Sequence, residues 1–433
     1  MERQSLLKDG HAGRGGEEAP STHITDPRRR ALLQRGTLLA LAAVVGPQIP
    51  FARFFPAGLV PVALAAEAVD FAALGKNAEL VVIGDRPLVA ETPPHLLDDP
   101  VTPADRLFMR NNGLPPDEKT IDPATWTLTI DGEAVEKPAK FTIAELKSKF
   151  RPIRRHIWIE CAGNGRAGFH PPAKGGQWTY GGVGFPMWTG VRLRDVLEAV
   201  GIKKNAVYIG YYGADRHLSG DPNRVVISRG VPIEKAMSDG VMIAWAMNDQ
   251  DIPLWHGHPL RLIAGGAPGS ASGKWLRRIA VRDQVHDGEK MLGTSYRVPC
   301  EPIAPGAKAG DMCILEVMPV KSLITFPRSG SEHGYGKPLA VRGHAWTGAE
   351  RVTRVDLSYD FGQTWHKAEL ERPANAYAPQ RFQAELKLPS RGYYEIWARA
   401  TDNTGKAQPM IAPGWNPGGY GNNAMHRIAV QVT

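Results

Sequence analysis

The chain has 433 residues, 42% of them hydrophobic and 22% charged, the balance of a globular protein long enough for two or three domains. Its formal charge of +8 comes without any Lys/Arg-rich run interleaved with aromatics, which argues against nucleic acid and suits small anions or an acidic protein partner. Three cysteines, with no C-x-x-C and no C-x-x-C-H, exclude a disulfide-dense scaffold, the usual structural zinc arrangements and a c-type haem attached to this chain.

Residues 1–27 are polar and Gly-rich. Arg28-Arg29-Arg30-Ala31-Leu32-Leu33 follows, then an apolar run over 37–45 and a second apolar stretch ending in Val62-Ala63-Leu64-Ala65-Ala66. An arginine pair, a moderate apolar region and a small-residue exit read as a twin-arginine signal over 1–65, which implies export in the folded state to the periplasm. Pro47, Pro50, Arg53 and Pro56 interrupt the stretch before it reaches the ~20 apolar residues of a membrane span, so no stable anchor is expected. Without this segment the chain carries about +5.

Residues 66–106 read as extended and loop-like, punctuated by Pro87, Pro93, Pro94, Pro100 and Pro103. Alternation over 126–130 before Asp131-Gly132 predicts a strand and turn. Thr142-Ile-Ala-Glu145 is a capping box that opens a short helix. Residues 155–160 alternate again, which places Cys161 just past a strand end. Val191, Leu193, Val196, Leu197 and Val200 recur at near-helical spacing, with Gly201 as the stop. Two strand-like runs flank Pro253 within 241–263. Beyond about residue 315 strands dominate, over 352–359, 382–388, 393–400 and 427–432, with a turn at Asp360-Phe-Gly362; this is the pattern of a β-sandwich. The expected organisation is α+β, with a mixed domain over 66–310 and an all-β, immunoglobulin-like sandwich over 311–433.

The chemistry centres on Ile159-Glu-Cys161-Ala-Gly-Asn-Gly-Arg166. A cysteine at a strand end in a Gly-rich loop can bring a soft thiolate against a bulky ligand, and a nearby arginine favours the ionised form. Taken alone, the commoner reading of such a residue is a buried structural cysteine. Further along, Arg261, Lys274 and the Gly/Ser run over 265–273 offer cations and exposed backbone N–H groups suited to a phosphate. For isolated Arg110, Arg261 and Lys274 the competing reading is surface solvation; for Trp178 and Tyr296 it is core packing.

Together these segments resemble the sulfite oxidase family. Its C-A-G-N-x-R loop, whose cysteine binds molybdenum, is matched by Cys161 and Arg166. Phe108-Met109-Arg110-Asn111-Asn112 is similar to its cofactor-binding F-V-R-N-H, departing at Asn112 from the histidine of many members. His256-Gly-His-Pro-Leu-Arg261 is similar to H-G-x-P-x-R, and Ser272-Gly273-Lys274-Trp275 to the loop that holds the pterin phosphate. An acidic cofactor contact of some members falls near Ser219–Asp221 and stays unassigned. The resemblance implies an oxyanion pocket of Arg110, Arg166 and Arg427 with Lys174 and Trp178 beside it, and Tyr296 next to the metal.

It further implies a molybdenum-molybdopterin cofactor, one per subunit, in a molybdopterin-binding domain of sulfite oxidase type. Two-electron oxidation of sulfite to sulfate and a homodimer paired through the sandwich are expected. With no haem in this chain, a separate c-type cytochrome is the expected acceptor. Gly414-Trp-Asn-Pro and Gly421-Asn-Asn-Ala are most like haem-free bacterial sulfite dehydrogenases. A sulfane dehydrogenase or a sulfoxide reductase of the same family is the alternative; Ala162 and Arg166 favour the sulfite branch. Outside the family, an exported β-rich binding protein with a structural Cys161 or a cysteine-nucleophile hydrolase using His156 or His170 is the competing class. Whether Cys300 and Cys313 pair is left open.

Overall fold

The computed structural model describes residues 69–308 and 310–433; the signal reading of 1–65 lies outside the described residues. Two five-stranded sheets build the first domain. The first runs, in spatial order, Gly230–Pro232, Tyr208–Gly213, Leu276–Arg282, Thr127–Asp131 and Ala139–Thr142. Only the pairing of Leu276–Arg282 with Thr127–Asp131 is parallel. The second sheet runs Gln250–Asp251, Val241–Met247, Met187–Arg192 and Ile153–His156, with Arg261–Ala264 also paired to Val241–Met247. Leu128, Ile130 and Ile279 from one sheet and Val191, Ile243 and Leu262 from the other share a single buried core.

Two short helices close this core. Ile143–Lys149 opens with the expected capping box, Thr142 accepting from the Glu145 N–H and Glu145 reaching back to the Thr142 N–H. Leu193–Val200 buries Leu193, Val196, Leu197 and Val200 and stops at Gly201, whose φ of +71° suits a residue without a Cβ. The apolar spacing ran the helix two residues too early, because Val191 belongs to the preceding strand, opposite Ile243.

The strand expected over 155–160 is broken in two. Ile153–His156 pairs with Met187–Arg192, whereas Ile159–Glu160 pairs with Val183–Gly184. Ile157 and Trp158 lie buried between them. This switch of partners carries the chain out of the sheet just before Cys161. Within the loop-like stretch 66–106, Val81–Asp85 and Leu88–Glu91 form a small hairpin.

The second domain is a sandwich. One sheet runs Lys321–Phe326, Leu339–Trp346, Gln380–Leu386 and Glu369–Leu370; the other runs Ser331–His333, His426–Val432, Gly392–Asp402, Val352–Ser358 and His366–Lys367. Ile324, Val341 and Phe382 pack against Val355, Ile396 and Val430. The chain is therefore α+β, strand-rich with few helices. No helix among the described residues is long and apolar enough to cross a membrane.

Candidate functional site

Cys161 is held by its loop and by the sandwich. Its N–H donates to Gly182 O at 2.8 Å and its carbonyl accepts from the Asn164 N–H at 2.9 Å. Gly165, at φ +92°, makes the turn that follows. Immediately before the cysteine, the fully buried Glu160 carboxylate accepts from Asn164 Nδ2 at 2.9 Å, Lys321 Nζ at 2.6 Å and Trp346 Nε1 at 2.9 Å. Lys321 and Trp346 come from the sandwich. So do Asn422, whose Nδ2 donates to Gly165 O at 2.7 Å, and Gly421, whose N–H donates to Ala162 O at 2.9 Å. Cys161 is 7% exposed and is the only free cysteine among the described residues.

That thiol opens on a partly enclosed pocket. Of the residues singled out in the sequence, Phe108, Arg110, Asn111, Asn112, His256, Arg261, Ser272, Lys274 and Tyr296 line it with Cys161. Met109 and Gly273 stand behind the wall. The Met109 backbone is paired with Ala90, and a Cβ on Gly273 would come within 2.3 Å of the Tyr211 ring. Glycine there lets the aromatic ring press against the loop.

The cavity is strongly cationic and poorly solvated. Lys274 Nζ donates to Asn111 Oδ1 and Trp255 O, both at 2.6 Å, and to Arg110 O at 3.1 Å. Burial, with Arg261, Arg110 and Lys76 nearby, pushes its pKa well below the usual lysine range. Burial lowers Arg261 to about 9. Arg110 donates to Asn111 O and to Asn112 Oδ1 at 3.1 Å. Three polar atoms in this lining have no hydrogen-bond partner: Asn111 Nδ2, Arg261 Nε and Ser270 Oγ. Desolvated cations and buried orphan donors are costly unless a polar, anionic ligand completes them. The residues present therefore fit a phosphate-bearing pterin.

Several residues that sequence reasoning passed over belong to this site. Asp215 is the acidic side chain that reaches the cavity, four residues before the stretch 219–221 left unassigned, and burial lifts its carboxyl to about 6. Tyr296 Oη donates to Asn112 Oδ1 at 3.2 Å, while Lys290 Nζ donates to the same oxygen at 3.3 Å. Tyr420 stacks on Tyr296 with centroids 5.4 Å apart, and the buried Arg229 guanidinium lies 4.6 Å from the Tyr296 ring. Arg229 sits in no recognisable pattern; only its coincidence with Tyr296 in space marks it.

The expected oxyanion pocket needs correction at four positions. Arg427 faces outward from the strand His426–Val432, its side chain 60% exposed and 3.6 Å from Glu395. Alternation buries His426 instead. Lys174 is exposed, and only its backbone N–H is tied, to Pro417 O at 3.3 Å. Trp178 packs edge-on against Phe108 with centroids 5.8 Å apart, in the core behind the thiol. Arg166 spends its guanidinium on Gly418 O at 2.7 Å and Gly176 O at 2.8 Å, and lies over Tyr420 at 5.1 Å. It clamps loops rather than presenting a free fork. Accordingly, Arg166→Met should destabilise the fold by about 2–4 kcal/mol in urea denaturation, the cost of two charge-assisted bonds. A loss under about 0.5 kcal/mol would contradict the clamp.

Cys300 and Cys313, left open by the sequence, are joined across the hairpin Arg297–Pro299/Met312–Ile314. Among the described residues no group of three or more His, Cys, Asp and Glu converges to hold a metal.

Residues 114–290 match the oxidoreductase molybdopterin binding domain, and residues 312–433 match the Mo-co oxidoreductase dimerisation domain. The chain is 31% identical over 364 residues to sulfite oxidase from Gallus gallus, covering 81% of this chain and 78% of that protein. It belongs to the sulfite oxidase family. Similarity to mitochondrial sulfite oxidase from Rattus norvegicus is 30% over 375 residues, covering 82% of this chain and 66% of that protein. The chain thus spans just under two thirds of that mammalian relative's length. Among solved structures, the sulfane dehydrogenase SoxCD from Paracoccus pantotrophus superposes with a TM-score of 0.66 at 28% identity, covering 88% of this chain and 94% of that one. Within this sulfite oxidase family member, the segment 108–112 that lines the cavity precedes the matched domain.

Proposed function

We propose that this chain is a sulfite dehydrogenase, oxidising sulfite to sulfate at a molybdenum-molybdopterin cofactor and passing electrons to a separate c-type cytochrome. The observation that carries this reading is the cavity beside Cys161, where buried cations and orphaned polar atoms meet the only free thiol among the described residues. When bound, the cofactor supplies the two-electron redox chemistry and the oxygen transfer.

The chain's own residues take the remaining tasks. The Cys161 thiolate ligates the metal as a soft donor. Arg261, Lys274, His256 and Ser272 hold the phosphate and pterin, and Asn111 gives the ring system an amide donor. Arg110 offers the substrate oxyanion a charged fork. Tyr296 stands beside it with a phenol able to hold or move a proton, and Asn112 orients both through one amide oxygen. The dimerisation domain over 312–433 supports a homodimer. The twin-arginine pattern in 1–65 supports export to the periplasm, where a c-type cytochrome would meet the enzyme.

The likeness to SoxCD favours a second reading, a sulfane dehydrogenase acting on protein-bound sulfur. The test is molybdenum analysis of the purified protein, followed by reduction of cytochrome c with sulfite or with a sulfane-loaded protein as donor. Sulfite-dependent reduction is expected. Reduction by the sulfane donor alone would transfer the assignment to the second reading. Absence of molybdenum would leave the exported binding protein with a structural cysteine.

A further inference from the structure

Lys76 lies ahead of the matched domains, in a segment that carries no motif, and its ammonium is buried beneath the cavity wall. A turn puts it there: the Lys76 N–H donates to Phe71 O at 2.7 Å, and Gly75 takes φ +63°. Nζ donates to Ala104 O at 2.5 Å and Leu107 O at 2.6 Å, and stands 3.0 Å from His256 Nε2. Two carbonyl oxygens turned toward one nitrogen favour the ammonium over the neutral amine, because a cation gains more from each carbonyl dipole. An ammonium has three donors and no acceptor, so two go to the carbonyls and the third is left for His256.

We infer that Lys76 is a positioning residue that fixes His256 as the neutral Nδ1–H tautomer, so that the histidine presents a donor to the ligand in the cavity. A ring nitrogen that accepts from an ammonium must carry its lone pair, which places the ring proton on Nδ1. His256 lines the cavity, and with Nε2 taken, Nδ1 is the nitrogen left for a ligand. Lys274 and Arg261 face the same ring, so a second proton on it is disfavoured from three sides as well as by burial. The group that suits such a donor is a phosphate oxygen or a ring carbonyl. The inference rests on the cofactor reading given above.

Burial lowers Lys76 to about 7, with Asp105 pulling the other way, so the measurement is made at about pH 6. Solid-state nitrogen-15 spectra of the histidine-labelled, full-length holoprotein report the tautomer, and His256→Gln identifies the signal by subtraction. The expected result is a protonated Nδ1 and an unprotonated Nε2. Lys76→Met frees the carbonyls of Ala104 and Leu107, which then want a donor; the proton is expected to move to Nε2, and molybdenum per chain to fall about tenfold. Lys76→Arg, which keeps charge and donors, is expected to retain Nδ1–H. A protonated Nε2 in the molybdenum-loaded wild type, meaning that Lys76 is a neutral amine accepting from the ring, overturns the inference alone. So does an unchanged tautomer in Lys76→Met. Wild-type protein without molybdenum but with Nδ1–H sinks the cofactor reading and leaves the role of Lys76 standing.

Discussion

Cys161→Ser is expected to reduce sulfite-dependent turnover to the background of the assay while leaving stability within about 1 kcal/mol of the wild type. The two side chains differ by one atom, and the position is buried without any role in a disulfide. Packing therefore changes little. Chemistry changes much: a serine hydroxyl is far less acidic than a thiol and offers a hard oxygen in place of a soft sulfur. Molybdenum content and turnover are read on the same preparation. Turnover retained with the metal still bound would refute the role of the sulfur, and a large loss of stability would point to a structural cysteine instead.

Lys321→Met is expected to cost about 3–5 kcal/mol, because it strands the Glu160 carboxylate in the interior without its cation. Both partners are almost entirely buried and their charged atoms are 2.6 Å apart. The carboxylate would keep only the amide of Asn164 and the indole of Trp346. Since Glu160 adjoins Cys161, the loss should also appear as lower molybdenum content. The double variant Glu160→Gln/Lys321→Met tests the cause, since a neutral amide needs no countercharge and most of the stability should return. Urea denaturation of the single and double variants settles this; equal losses in both would show that the pair acts through packing alone.

The legibility of the sequence divided along physical lines. Local signals translated well: the capping box at Thr142, the glycine stop at Gly201 and the strand alternation of the sandwich rest on contacts between residues a few positions apart. The loops that line the cavity also carry compact motifs, so Arg110, Cys161, His256, Arg261 and Lys274 could be found together. Arg427 misled because a one-residue shift in strand register turns a side chain from one face to the other, and the start of the strand His426–Val432 carries no mark. Arg166 misled because motif membership says nothing of what a guanidinium bonds to; its partners lie in two other loops. Lys76, Asp215 and Arg229 reach the site from remote segments with no motif, and only tertiary structure reveals them.

The Cys300–Cys313 bond has a consequence for how the chain matures. Its hairpin follows directly from Tyr296, whose carbonyl accepts from the Leu315 N–H at 3.1 Å. Cytosolic thiols keep such pairs reduced, whereas extracytoplasmic surroundings oxidise them. On the export in the folded state proposed above, strand pairing would align the two sulfurs during transit and the crosslink would close on arrival. The covalent state of this hairpin would then be a chemical postmark, stamped by the compartment in which the journey ended.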